Sequence, residues 1–156
     1  IPIDSLDIRK KISTEITNDN FEEIMMIYRA TDDFKHLWNI DHIKTHEDLK
    51  KELCKKGNNY WADHIVLDLF KQKYNTNLII LNNKDDDFKQ DKCRIHCLGD
   101  ILHKDKLTLI LYFEDYCHFN PICIFKNNSL YSLLRYDEIP TSIIRIYEND
   151  SRKKLF

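Results

Sequence analysis

The sequence predicts an α+β fold, with helices in the first half packed on a small, mainly antiparallel sheet formed by the second half. Three observations carry this expectation. Apolar residues recur at helical spacing from Ile8 to Tyr74. Short runs rich in Ile, Leu, Tyr and Phe follow from Asn77 to Leu134. The 156 residues contain no internal repeat and no linker, which fits one domain spanning residues 1–156.

The elements follow in order. Asp4 or Ser5 can cap a first helix whose apolar positions are Ile8, Ile12 and Ile16, and Asn18-Asp19-Asn20 breaks it. Phe21, Ile24, Met25 and Tyr28 suit a second short helix. Residues 31 to 44 fit no single element, with Phe34, Leu37 and Trp38 as core anchors. Thr45-His46-Glu47-Asp48 has the form of a capping box, and Leu49 and Leu53 continue that helix to Gly57. Ala62, Ile65, Val66, Leu69, Phe70 and Tyr74 form one stripe, with Asp63 and His64 facing solvent or a neighbouring loop. Strands are expected at Asn77–Leu81, Cys93–Leu98, Leu107–Phe113, Ile122–Phe125 and Ser129–Leu134. The polar, acid-rich stretch from Lys84 to Lys92 reads as a solvated loop, and Lys126-Asn127-Asn128 as a hairpin turn. Ile143 to Tyr147 adds a last strand or packs as an extension.

Composition excludes several functions. Lys and Arg number 24 against 26 Asp and Glu, so no basic excess points to nucleic acid or an anionic membrane. No apolar run reaches the ~18 residues of a spanning helix, and no secretory signal opens the chain. Five scattered cysteines suit reduced thiols in the cytoplasm or nucleus. With two glycines there is no phosphate-cradling loop, and no cofactor is expected.

The segment that carries chemistry is Glu114-Asp115-Tyr116-Cys117-His118-Phe119-Asn120-Pro121, directly after the apolar Leu107–Phe113 run. In an extended chain, residues two apart share a side. His118 and Asn120 can then lie together, the amide oxygen accepting from Nδ1 of the ring. This is the orienting half of a Cys–His–Asn constellation. On spacing alone, a strand-end histidine that caps a turn before Pro121 is a better reading of His118 than a catalytic one.

Several of these segments resemble the OTU (ovarian tumour) family of cysteine proteases, which are chiefly deubiquitinases with a papain-like architecture. Asn59-Tyr60-Trp61-Ala62-Asp63-His64-Ile65-Val66-Leu67 with Asn77–Leu81 is similar to the family's Trp-containing helix and following strand. Leu109–Phe113 with His118-Phe119-Asn120-Pro121-Ile122 is similar to its catalytic-histidine strand. Asp7-Ile8-Arg9 with the helix to Ile16 resembles the Arg-containing helix that follows its nucleophile. The family-like segments on both sides of His118 favour the catalytic reading of it. The resemblance implies a thiol isopeptidase acting on ubiquitin or a ubiquitin-like modifier, with His118 and Asn120 catalytic. It also implies that Phe119 walls the channel for the modifier's narrow tail. The abundance of Asn, Lys, Ile and Asp fits an AT-rich viral or protist genome.

The family's Asp-Gly-x-Cys segment is absent, since the two glycines are Gly57 and Gly99. The nucleophile is therefore expected upstream of residue 1. The alternative is an OTU-like module without catalysis that binds the modifier or a partner protein. The chain's own cysteines are poor substitutes. Cys117 neighbours His118 and so faces the other way. Cys54 sits at a helix C-terminus, where the dipole disfavours a thiolate. Cys93, Cys97 and Cys123 read as residues of buried strands. Cys93, His96, Cys97 and His103 have zinc-ligand chemistry and leave a small zinc-binding interaction domain as a weaker alternative. Cys93 and Cys97 on a strand would be ~13 Å apart, so a zinc site requires a loop or helix there.

Overall fold

The structure is a computed structural model that describes residues 5–30, 40–55, 63–83, 93–97, 101–114, 118–149 and 154–155. Expectations for Phe34, Leu37, Trp38, Gly57, Trp61, Ala62, Cys117 and the 84–92 loop lie outside these residues. The chain forms two compact units, Ile1–Tyr74 and Asn75–Phe156. The predicted α+β class is observed, with four α-helices preceding the strands among the described residues.

The first unit is helical: α1 (Ser5–Ser13), α2 (Asn18–Ala30), a 3-10 turn at Ile40–His42, α3 (His46–Leu53) and α4 (His64–Tyr74). Helix α1 stops three residues before the expected Ile16. Ser13 and Thr14 turn their hydroxyls back onto the carbonyls of Lys10 and Lys11, at 2.9 and 2.7 Å, and compete with the helical ladder there. The Asn18–Asn20 triplet starts α2 rather than merely breaking α1. The Asn20 amide binds both sides of the turn, accepting from the Thr17 N–H at 2.8 Å and donating to the Glu15 carbonyl at 2.8 Å. Ile12, Ile16, Phe21, Ile24, Met25 and Tyr28 are buried as predicted and join Leu49, Leu53, Ile65, Val66 and Leu69 in one core.

The capping box of α3 forms as read. The Asp48 N–H donates to Thr45 Oγ1 at 3.2 Å, and the Thr45 N–H donates to Asp48 Oδ2 at 3.0 Å. The Thr45 hydroxyl also donates to Asp48 Oδ2 at 2.8 Å, and this bond, with those from the Lys44 and Thr45 N–H groups, holds the Asp48 carboxyl below its ordinary pKa. Glu52, buried on α3, is held by Lys55 Nζ at 2.6 Å and His42 Nε2 at 3.3 Å. Asp63 does not face solvent. Its Oδ1 accepts the Val66 N–H at 2.9 Å as the cap of α4, and its Oδ2 accepts from the Tyr28 hydroxyl at 3.0 Å. Burial pushes its carboxyl above the usual range, against the lowering effect of these bonds. His64, by contrast, is exposed.

The second unit holds β1 (Asn77–Asn83), β2 (Cys93–Cys97), β3 (Ile101–Leu102), β4 (Thr108–Glu114) and β5 (His118–Pro121). They are followed by β6 (Ile124–Lys126), β7 (Ser129–Tyr131), β8 (Leu133–Leu134), a 3-10 turn at Tyr136–Glu138, α5 (Thr141–Asn149) and β9 (Lys154–Leu155). The main sheet runs β2-β1-β4-β5, with β8 also on β4. Only its β1–β4 pair is parallel. The separate β3–β9 pair is parallel too, and β6–β7 is an antiparallel hairpin. Asn127 and Asn128 take φ of 50° and 58°, the left-handed pair that a two-residue type I′ turn requires.

Two expectations for this unit are corrected. The Ser129–Leu134 run is two strands broken at Ser132, β7 pairing with β6 and β8 with β4. Ile143–Tyr147 is helical, not a strand. The Pro140 carbonyl accepts from the Ile143 and Ile144 N–H groups at 2.9 and 3.2 Å, and Ile143 and Tyr147 fall one turn apart into the core. A strand would have set exposed Arg145 on the same side as those two buried residues. With Ile79, Leu81, Leu102, Ile110, Leu134 and Ile139 they form the core over one face of the sheet.

Candidate active site

The site is built on β4 and β5. Thr108-Leu109-Ile110-Leu111-Tyr112-Phe113 is a β-branched, aliphatic and aromatic run without Gly or Pro, and Ile110 and Leu111 are buried. The start of this strand is clamped by Asn77, itself buried on β1. Asn77 Nδ2 donates to the His103 carbonyl at 2.7 Å and to Thr108 Oγ1 at 3.1 Å, and its Oδ1 accepts the His103 N–H at 3.0 Å. The Asn77 main-chain N–H adds a bond to the Leu107 carbonyl at 2.8 Å. The turn before β4 is thereby tied to β1, and the parallel register of the two strands follows.

Strand β5 returns along the far side of β4, pairing Glu114 with His118, Phe113 with Phe119, Tyr112 with Asn120 and Leu111 with Pro121. His118 and Asn120 therefore occupy same-face positions of one regular strand. Tyr112 lies on that face too, directly opposite Asn120, and is half-buried against the core. Sequence reasoning did not single out Tyr112. Its position across from Asn120 follows only from the pairing of the two runs.

Phe119 falls on the opposite face, where its ring stacks on Phe113 with centroids 4.6 Å apart. That contact fixes β5 on β4 from the side away from His118 and Asn120. The Ile122 N–H donates to the Ile110 carbonyl at 2.8 Å, so by alternation the main-chain groups of Phe119 and Pro121 point away from β4. Pro121 thus sits on an edge strand where its missing N–H costs no ladder bond.

Cys54 closes α3 in the other unit, its Sγ 3.8 Å from Ser13 Oγ. Cys123 is exposed between β5 and β6 rather than part of a buried strand, because β6 begins only at Ile124. Cys93, His96 and Cys97 lie on β2, the extended geometry in which Cys93 and Cys97 are too far apart to share a zinc ion. Among the described residues, no group of three or more His, Cys, Asp or Glu is placed to hold a metal ion. No helix among them is long and apolar enough to cross a membrane.

No protein-family model and no curated protein matches the chain.

Proposed function

We propose that the chain is the histidine-bearing part of an OTU-like, cysteine-type deubiquitinase that hydrolyses conjugates of ubiquitin or a ubiquitin-like modifier. The observation that supports this most directly is the same-face placement of His118 and Asn120 on edge strand β5. It agrees with the order of OTU-like segments along the sequence. The nucleophilic thiol is assigned to a segment N-terminal to Ile1. Its sulfur attacks the carbonyl carbon of the modifier's C-terminal glycine as His118 takes the thiol proton. His118 then gives that proton to the leaving lysine amine, and water hydrolyses the thioester. Asn120 accepts from the ring and keeps it in the tautomer that can take the proton.

The second reading is an OTU-like fold that binds the modifier without cleaving it. The absence of an Asp-Gly-x-Cys segment among these residues favours it. Ubiquitin carrying a C-terminal electrophile separates the two when incubated with the natural full-length protein. A one-to-one adduct on a cysteine, together with loss of turnover in His118→Ala, is expected for the enzyme. Asn120→Ala should keep a reduced rate, since it removes an orienting bond rather than the base. Full activity of His118→Ala refutes the assignment. A folded protein that binds ubiquitin and forms no adduct supports the binding module.

A further inference from the structure

We infer that Glu114 is a positioning residue for His118, its carboxylate stabilising the imidazolium that forms when the ring takes the thiol proton. The inference rests on the proposed function. The placement comes from register. Glu114 is the last residue of β4 and His118 the first of β5, and the two pair directly across the ladder. The Ile122 N–H donates to the Ile110 carbonyl, so by alternation Tyr112–Asn120 and Glu114–His118 are hydrogen-bonded pairs. Directly opposite residues of an antiparallel pair share a face, with Cβ atoms roughly 5 Å apart. Glu114 thus holds the position across from the base, as Tyr112 does across from Asn120.

The chemistry asks for a charge at that position. Asn120 aligns the ring by accepting from Nδ1, but an amide is neutral and does little for the positive charge the ring gains. A carboxylate this close favours the charged form of an imidazole over the neutral one. The proton stays on the ring, so it remains available to the leaving amine. In the main sheet β5 is an edge strand that pairs with β4 alone. On the His118 face β4 carries Ile110, Tyr112 and Glu114, and of these three Glu114 alone has a carboxylate. The core on that face, which takes in Ile110, Tyr112 and Ile122, receives Tyr147 from α5 and Tyr136 from the 3-10 turn, both phenols. Glu114 is therefore the acid that the register sets against His118.

The test is a proton NMR titration of the His118 ring in the parent chain, in Glu114→Gln and in Asp105→Asn. The last removes one exposed negative charge from the turn before β4, at the other end of that strand. The His118 signals are assigned by their loss in His118→Ala. Water screens a pair on an edge strand, so Glu114→Gln is expected to lower the titration midpoint by about half a unit to one unit. Asp105→Asn should leave it in place. Glu114→Asp, which keeps the charge on a shorter stem, should fall between parent and Glu114→Gln. In the natural full-length protein the basic limb of the kcat/KM profile for conjugate cleavage should move to lower pH with the midpoint. A purely structural role for Glu114 would change a urea melt and leave the midpoint alone. Equal midpoints in parent and Glu114→Gln, with conjugates still cleaved, overturn the role of Glu114 and leave the proposed function standing. A full-length protein that cleaves no conjugate and forms no adduct with the ubiquitin electrophile overturns the proposed function, and the role given to Glu114 with it.

Discussion

Replacing Asn77 tests how the sheet is set up beneath the candidate site. The Asn77 amide is buried and makes three hydrogen bonds of 2.7–3.1 Å, two to the main chain of His103 and one to Thr108 Oγ1, besides a longer one of 3.4 Å to the Lys106 carbonyl. Asn77→Ala removes all three and leaves the His103 N–H and carbonyl to find new partners. At about 1 kcal/mol net for each bond, the loss comes to about 3 kcal/mol. The exposed Lys104 and Asp105 let part of the turn relax toward water, which keeps the cost from rising further. Thr108→Val removes one of the three bonds at nearly constant shape and should cost about 1 kcal/mol. Because Asn77 and Thr108 touch, the double variant should cost less than the sum of the singles. Urea unfolding, with native-state amide exchange at Ile79 and Ile110, reports the effect in the unit concerned. A loss under about 1 kcal/mol for Asn77→Ala would mean that the β1–β4 ladder alone sets the register.

Two further outcomes are expected in the helical unit. Thr45→Ala should destabilise it by about 1 kcal/mol in a urea melt, while Thr45→Ser, which keeps the capping oxygen, should be close to silent. Burial raises the Asp63 carboxyl pKa, so the fold favours its protonated form. Its contribution to stability is then greatest below the ordinary aspartate pKa and is lost as pH rises through the raised one. Asp63→Asn keeps the cap and the acceptor for Tyr28, so it should gain stability relative to the parent as pH rises through that window. Parent and variant curves that stay parallel across it would refute this account.

What the sequence made legible was local. The Thr45 box and the buried stripe of α2 each depend on residues close together in the chain and formed as read, and the expected Lys126-Asn127-Asn128 turn formed at Asn127 and Asn128, with Lys126 on β6. The misses have a common cause, a local pattern that lost to a neighbour. The Ser13 and Thr14 hydroxyls ended α1 before its apolar periodicity did. Pro140 and the one-turn spacing of Ile143 and Tyr147 outweighed the β-branched character that pointed to a strand. Asp63 left solvent because Tyr28, 35 residues away, reaches it. No window of sequence contains that contact.

The candidate site divides along the same line. That His118 and Asn120 share a face needed only strand geometry, which makes it a strong inference once residues 118–121 are known to pair with β4. Had the segment been helical, residues two apart would have pointed nearly 200° around the axis from each other, and the pair would have had no joint chemistry. The partner opposite Asn120 is a matter of register, and register depends on the whole sheet. The Asn77 clamp sets where β4 begins, β4 sets where β5 returns, and only then does Tyr112 come to lie across from Asn120. Phe119 shows the same logic from the other side. Its place after the histidine sends it to the opposite face, and its stacking on Phe113 holds the strand that carries His118 and Asn120.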